Sequence, residues 1–133
     1  MDHLPEMLRS QRHQPSAMEA IRRCIQTCFD CAQACTACAD ACLDEENVTE
    51  LRYCIRLDLD CADQCGAAGR IVSRLTKPNR SLMEGALNAC ADACRACAEE
   101  CERHAGMHAH CRVCAEACHR CEKACQDLLA AMP

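Results

Sequence analysis

The chain has 133 residues and a formal net charge of −5, from 15 basic and 20 acidic side chains. That length suits one domain, and that charge argues against a nucleic-acid-binding protein. Eighteen residues are cysteine; Cys and Ala supply 41 of the 67 hydrophobic positions, whereas Leu, Ile, Val and Phe number only 19. A conventional core of branched and aromatic side chains is therefore excluded. Strong helical periodicity argues against disorder, so the interior is expected to be largely thiol.

Residues 1–15 read as an N-terminal extension, with a short amphipathic helix within 4–12 through Leu4, Met7 and Leu8. This stretch has no apolar run of signal-peptide length, and Arg22-Arg23 is not followed by one, as a twin-arginine signal requires. No 18-residue apolar stretch exists, so no membrane partner is expected and a cytoplasmic location is. Thiols stay reduced there, which points to metal or redox chemistry before structural disulfides.

Residues 16–131 carry four segments of helical spacing. The first runs from 16 to about 43, opened by Ser16-Ala-Met-Glu19, a capping-box pattern. The second runs from 47 to about 76, opened by Asn47-Val-Thr-Glu50 and broken by Pro78. The third runs from 81 to about 105, opened by Ser81-Leu-Met-Glu84, with Gly106 placed as the residue just past its end. The fourth runs from 107 or 108 to 131 and lacks a good cap. Short connections between helices dictate antiparallel neighbours. The expected fold is an all-α, up-down-up-down four-helix bundle with a Cys-lined core. Gly66 and Gly69, inside the second helix, suggest close helix packing.

The first segment places Cys24, Cys28, Cys31, Cys35, Cys38 and Cys42 at gaps of 4, 3, 4, 3 and 4. At ~100° per residue these fall within roughly 80° of arc, a row ~27 Å long. The third repeats the pattern with Cys90, Cys94, Cys97 and Cys101, and the fourth with Cys111, Cys114, Cys118, Cys121 and Cys125. The second contributes Cys54, Cys61 and Cys65, and Asp58 fills the missing position. These are the seam positions of a bundle, with Cys in place of Leu. Filling nearly every one with a small weak hydrophobe is a poor way to build a core. Neighbours on one helix face project in parallel, which is poor disulfide geometry. The CxxC pairs belong to a continuous repeat with no thioredoxin-like surroundings.

Soft thiolates select Cu(I), zinc or iron–sulfur clusters. Zinc prefers isolated four-ligand tetrahedra, each leaving two negative charges in a low-dielectric interior. Cu(I) is monovalent, so about one ion per Cys, on the order of 18, would neutralise the core. Adjacent i,i+3 and i,i+4 sulfurs would each grip one linear ion. Iron–sulfur motifs cluster their cysteines on loops, which this sequence lacks. The reading is a Cu(I) store, with an iron–sulfur electron carrier or a zinc/thiol buffer as alternatives.

CIQTCFDCAQACTACADAC, CADQC, CADACRACAEEC and CRVCAEACHRCEKAC resemble the bacterial copper storage proteins, cytosolic branch, over roughly residues 16–131. The resemblance implies a four-helix bundle holding many Cu(I) ions, a homotetrameric assembly, and storage or sequestration instead of catalysis.

Alternating helix directions gather His104, Met107, His108 and His110 at one end, beside Cys42, Asp44, Glu45 and Glu46. His104 and His108 continue the third seam and Met107 the fourth, so copper is expected to enter there, with His110 and Asp58 as further candidate ligands. Small thiols or a copper chaperone are expected exchange partners. The other end gathers Ile21, Val72, Leu75, Met83, Leu87, Leu128 and Leu129, with Leu4 and Leu8 as a lid: a hydrophobic plug. His3, His13 and His119 read as surface residues.

Overall fold

A computed structural model describes residues 1–132. Five helices follow in order: α1 (Leu4–Arg9), α2 (Met18–Leu43), α3 (Arg52–Val72), α4 (Arg80–Glu102) and α5 (Ala109–Ala131), with a 3₁₀ turn, Val48–Leu51, leading into α3. There is no strand among the described residues, and no helix is long and apolar enough to cross a membrane.

The four long helices pack in a ring, each on its two chain neighbours and α2 on α5. Sulfur contacts give their directions. Along α2 and α5 they run Cys28–Cys121, Cys31–Cys118 and Cys38–Cys111, one number rising as the other falls. Along α3 and α4 they run Cys54–Cys101, Cys61–Cys94 and Cys65–Cys90. Cys90–Cys121 and the neighbouring Cys97 and Cys114 reverse α4 against α5 in the same way, so adjacent helices are antiparallel, and every seam faces the common axis.

None of the three expected helix-start signals makes its cap bond. Ser16 and Ser81 cap nothing. Pro15 C=O accepts the Met18 N–H at 3.2 Å, so the first turn of α2 needs no side-chain cap, and Glu19 bonds Arg22 at 2.6 Å instead. Asn79, two residues upstream of Ser81, caps α4: its Oδ1 accepts the Leu82 N–H at 2.9 Å. Asn47 and Glu50 meet side chain to side chain before the 3₁₀ turn, at 3.4 Å, without a cap bond. Gly106 is no left-handed terminator either, because α4 ends at Glu102 and no residue has positive φ among those described.

Of the two helix glycines, Gly69 permits close packing. A Cβ there would stand 2.9 Å from the Phe29 ring, whereas at Gly66 the nearest atom is the tip of Arg70 at 3.6 Å. Gly69→Ala is expected to cost ~1–3 kcal/mol through overpacking. Gly66→Ala, with space around it, is expected to gain up to ~1 kcal/mol of helix propensity. Urea unfolding of the reduced protein checks both.

The apolar end is built as expected. Ile21, Val72, Leu75, Met83, Leu87 and Leu128 are buried there, in one cluster with Leu4 and Leu8 of α1. Met7 and Leu129 depart from the expectation: Met7 is exposed and Leu129 only partly buried. A cleft of about 750 Å³ opens beside the plug, lined by Ile21, Leu75, Met83, Leu128 and Met132 among others.

Candidate metal centre

All eighteen cysteines are buried and free. Their burial follows from helix geometry: gaps of 4 and 3 keep a row on one face, and antiparallel packing turns that face inward. Hydrogen-bonded sulfur pairs within one helix are all i,i+4: Cys24–Cys28 at 3.9 Å, Cys31–Cys35 at 3.8 Å, Cys61–Cys65 at 3.7 Å and Cys97–Cys101 at 3.9 Å. The expected i,i+3 partnerships do not form such pairs, because i+3 lies ~60° round the helix and i+4 only ~40°. Most close pairs cross between helices, as Cys31–Cys118 at 3.6 Å and Cys65–Cys94 at 3.6 Å do.

The sulfurs gather into overlapping groups of four, each with all its sulfurs within 4.8 Å of one another. Cys28, Cys90, Cys121 and Cys125 form one near the plug; Cys31, Cys65, Cys94 and Cys121 form the next. Then come Cys31, Cys35, Cys61 and Cys118, followed by Cys35, Cys97, Cys114 and Cys118; Cys38, Cys42, Cys54 and Cys111 lie nearest the polar end. Cys31, Cys35, Cys118 and Cys121 each belong to two groups. A thiolate–metal bond of ~2.3 Å separates two sulfurs by ~4.0 Å in a trigonal site and ~4.6 Å in a linear one. Trigonal or tetrahedral sites, the latter at ~3.8 Å, therefore fit the observed gaps nearly as they stand, and a linear pair needs its sulfurs to part by roughly 0.6 to 1.0 Å. Shared thiols suit bridging between neighbouring monovalent ions and do not suit isolated tetrahedra.

Hydrogen bonding divides these thiols by acidity. Cys121 is pushed down by side-chain interactions with Cys125 first and then Cys28, while Cys28 and Cys125 are pushed up, chiefly by Cys121. Towards the polar end burial dominates: it pushes Cys42 up to about 12 and raises Cys111 as well. Cations entering this core therefore have many bound protons to displace.

Asp58 holds its seam position and is wholly buried. Its Oδ1 accepts S–H bonds from Cys97 at 3.1 Å, Cys114 at 3.3 Å and Cys101 at 3.5 Å, while Oδ2 has no partner. Burial, above all, pushes its carboxyl up to about 11. The side chain is thus a neutral acid within the sulfur row.

At the polar end the histidines separate. His110 meets the sulfurs, with Nδ1 at 3.4 Å from Cys38, 3.6 Å from Cys111 and 4.0 Å from Cys42. His108 stacks on it, ring centroids 5.3 Å apart, and its Nε2 is buried without a partner. His104 Nε2 lies 2.9 Å from Glu100 Oε2. Met107 is 76% exposed, so its thioether is not brought to the seam. The physical reason is that α4 stops at Glu102 and α5 starts at Ala109, so helical spacing does not carry across the corner. His119 pairs with Glu102 at the surface, and His3 and His13 are exposed.

Two carboxylates belong to this end that residue spacing did not single out as histidine partners. Glu100 is almost buried beside His104 and Arg103, and Glu45 lies 2.8 Å from His108 Nδ1. Neither has a sequence signal as a histidine partner, because the pairings arise from how a corner folds.

The sequence profile of the copper storage protein family matches residues 17–130. No curated protein matches the sequence. Among solved structures, the chain is similar to the copper storage protein Ccsp of Streptomyces lividans loaded with 10 copper equivalents, at 53% identity and a TM-score of 0.94, covering 97% of this chain and 99% of that one. It is similar to the cytosolic copper storage protein of Streptomyces lividans with five coppers at 58% identity and a TM-score of 0.85, covering 86% and 96%. The Cu(I)-bound copper storage protein BsCsp3 matches at 40% identity and a TM-score of 0.70, covering 78% of this chain and 92% of that one. The chain belongs to the copper storage protein family.

Proposed function

We propose that this protein stores or sequesters many Cu(I) ions in the cytoplasm, holding them with the thiolates of its bundle interior and carrying out no catalysis. The carrying observation is the sharing of Cys31, Cys35, Cys118 and Cys121 between adjoining four-sulfur groups. Shared soft ligands favour a continuous copper–thiolate core over separate zinc sites. The Streptomyces lividans relatives support the reading, being copper storage proteins, one of them described as cytosolic.

Copper enters at the polar end, where His110 hands it to Cys38, Cys42 and Cys111, with His104 and His108 as further ligands. The supporting observation is the His110 ring against those three thiols and the unpartnered His108 Nε2 beside it. Exposed Met107 adds no seam ligand, and Asp58 becomes a ligand only on losing its proton. Small thiols or a copper chaperone exchange copper at the same mouth. The assembly is a homotetramer, as the resemblance implies, and the exposed apolar side chains of Leu43, Tyr53 and Leu59 are available to its interfaces.

Anaerobic titration of the reduced protein with Cu(I) against a competing chelator tests storage. Saturation is expected on the order of 18 equivalents, from charge neutralisation. Saturation at four or five would overturn the reading. Replacing His104, His108 and His110 by Ala is expected to slow the first phase of loading about tenfold or more; an unchanged rate would place the point of uptake elsewhere.

A further inference from the structure

We infer that Glu45 is a positioning residue of the copper-uptake mouth: its carboxylate sets the ring orientation and tautomer of His108, so that His108 presents a bare Nε2 to incoming Cu(I). The inference deepens, and rests on, the reading that copper enters at the polar end.

Glu45 sits on a fixed turn just past α2, its N–H donating to the Cys42 carbonyl at 3.2 Å. One oxygen, Oε2, lies 2.8 Å from His108 Nδ1; the other, Oε1, lies 3.7 Å from His110 Nε2. The two rings are nearly parallel, 20° apart. A carboxylate only accepts, so its field favours a proton on the nitrogen facing it. In His108 that is Nδ1, which leaves Nε2 bare. His110 Nε2, 3.7 Å from Oε1, is beyond hydrogen-bond reach and is buried without a partner, while its Nδ1 faces Cys38, Cys42 and Cys111. His108 Nε2 is buried without a hydrogen-bond partner and is free to serve as a ligand atom. A carboxylate on the far nitrogen also holds a metal-binding ring in place. The contact is not a loose surface pair, since the His108 side chain is only 10% exposed and that of Glu45 32%.

The experiment uses reduced, metal-free protein labelled at the histidine ring nitrogens. In the native protein, imidazole nitrogen shifts are expected to show His108 with its proton on Nδ1. Glu45→Ala is expected to lose the Nδ1–H form of His108 and to slow the first phase of Cu(I) loading about tenfold, with helicity and titratable thiols confirming the fold. Glu45→Gln, which keeps one oxygen acceptor without the charge, is expected to restore part of the His108 tautomer and part of the rate. A Glu45→Ala protein that keeps the native tautomer, or loads at the native rate, overturns the proposal. The His108→Ala/His110→Ala double variant separates the two readings. If it loads at the native rate, uptake at this end fails; if it is slow while Glu45→Ala is not, only the role of Glu45 fails.

Discussion

Loading the reduced protein with Cu(I) is expected to remove its thermal unfolding transition from the accessible range. The metal-free core is weak by composition: its axis is lined by cysteines, with larger aliphatic side chains concentrated towards one end. An ion bound only by the folded array adds ~2.7 kcal/mol per site once free copper is 100-fold above its dissociation constant. Ten such sites would supply ~27 kcal/mol, against a net stability of ~5–15 kcal/mol for a typical domain. Copper binding to unfolded cysteines reduces this gain, but an unfolded chain cannot hold sulfurs from four helices 3.6 to 4.0 Å apart as the bundle does. Anaerobic calorimetry on metal-free and saturated protein measures the shift. A shift of only a few degrees at saturation would mean that copper sits outside the sulfur core. Because each ion displaces thiol protons, the transition should return as the loaded protein is acidified.

The interior was legible in the sequence because one residue type marked both the period and the face. Six cysteines on α2 fixed its helical phase more firmly than a mixed apolar stripe would, since no alternative assignment places them all together. Asp58 was legible as a gap in that pattern, though its acceptance of three S–H bonds was not. The corner between α4 and α5 was read poorly for a physical reason. Spacing predicts position only while the helix continues, and α4 ends two residues before His104. Met107 therefore lands in solvent, while His110, off the extrapolated seam, meets three thiols. Asn79 in place of Ser81 shows the same limit, because several polar residues near a helix start compete for the free amides and the backbone path selects one.

The second large effect is expected from Asp58, as a change in how stability depends on pH. Its carboxyl is raised from 3.8 to about 11 by burial among thiols, so it stays protonated in the fold and ionises in the unfolded chain. The folded state therefore binds the extra proton, and stability falls as pH rises through the interval between those values. The slope approaches ~1.4 kcal/mol per pH unit, or about 4 kcal/mol lost by pH 7. Asp58→Asn removes the titrating group and should flatten that slope between about pH 5 and 8, below the range in which unfolded thiols ionise. The buried amide will carry its own offset of ~1–3 kcal/mol for imperfectly paired donors, so the informative quantity is the slope and not the stability at one pH. Urea midpoints of the native protein and the Asp58→Asn variant, both metal-free and fully reduced, measure it across that range. Parallel slopes would mean that Asp58 is ionised in the folded protein, its charge held by the S–H donors of Cys97, Cys114 and Cys101. A steeper native slope would fix the acid as neutral, and copper would then have to displace its proton together with those of the thiols around it before that part of the sulfur row could fill.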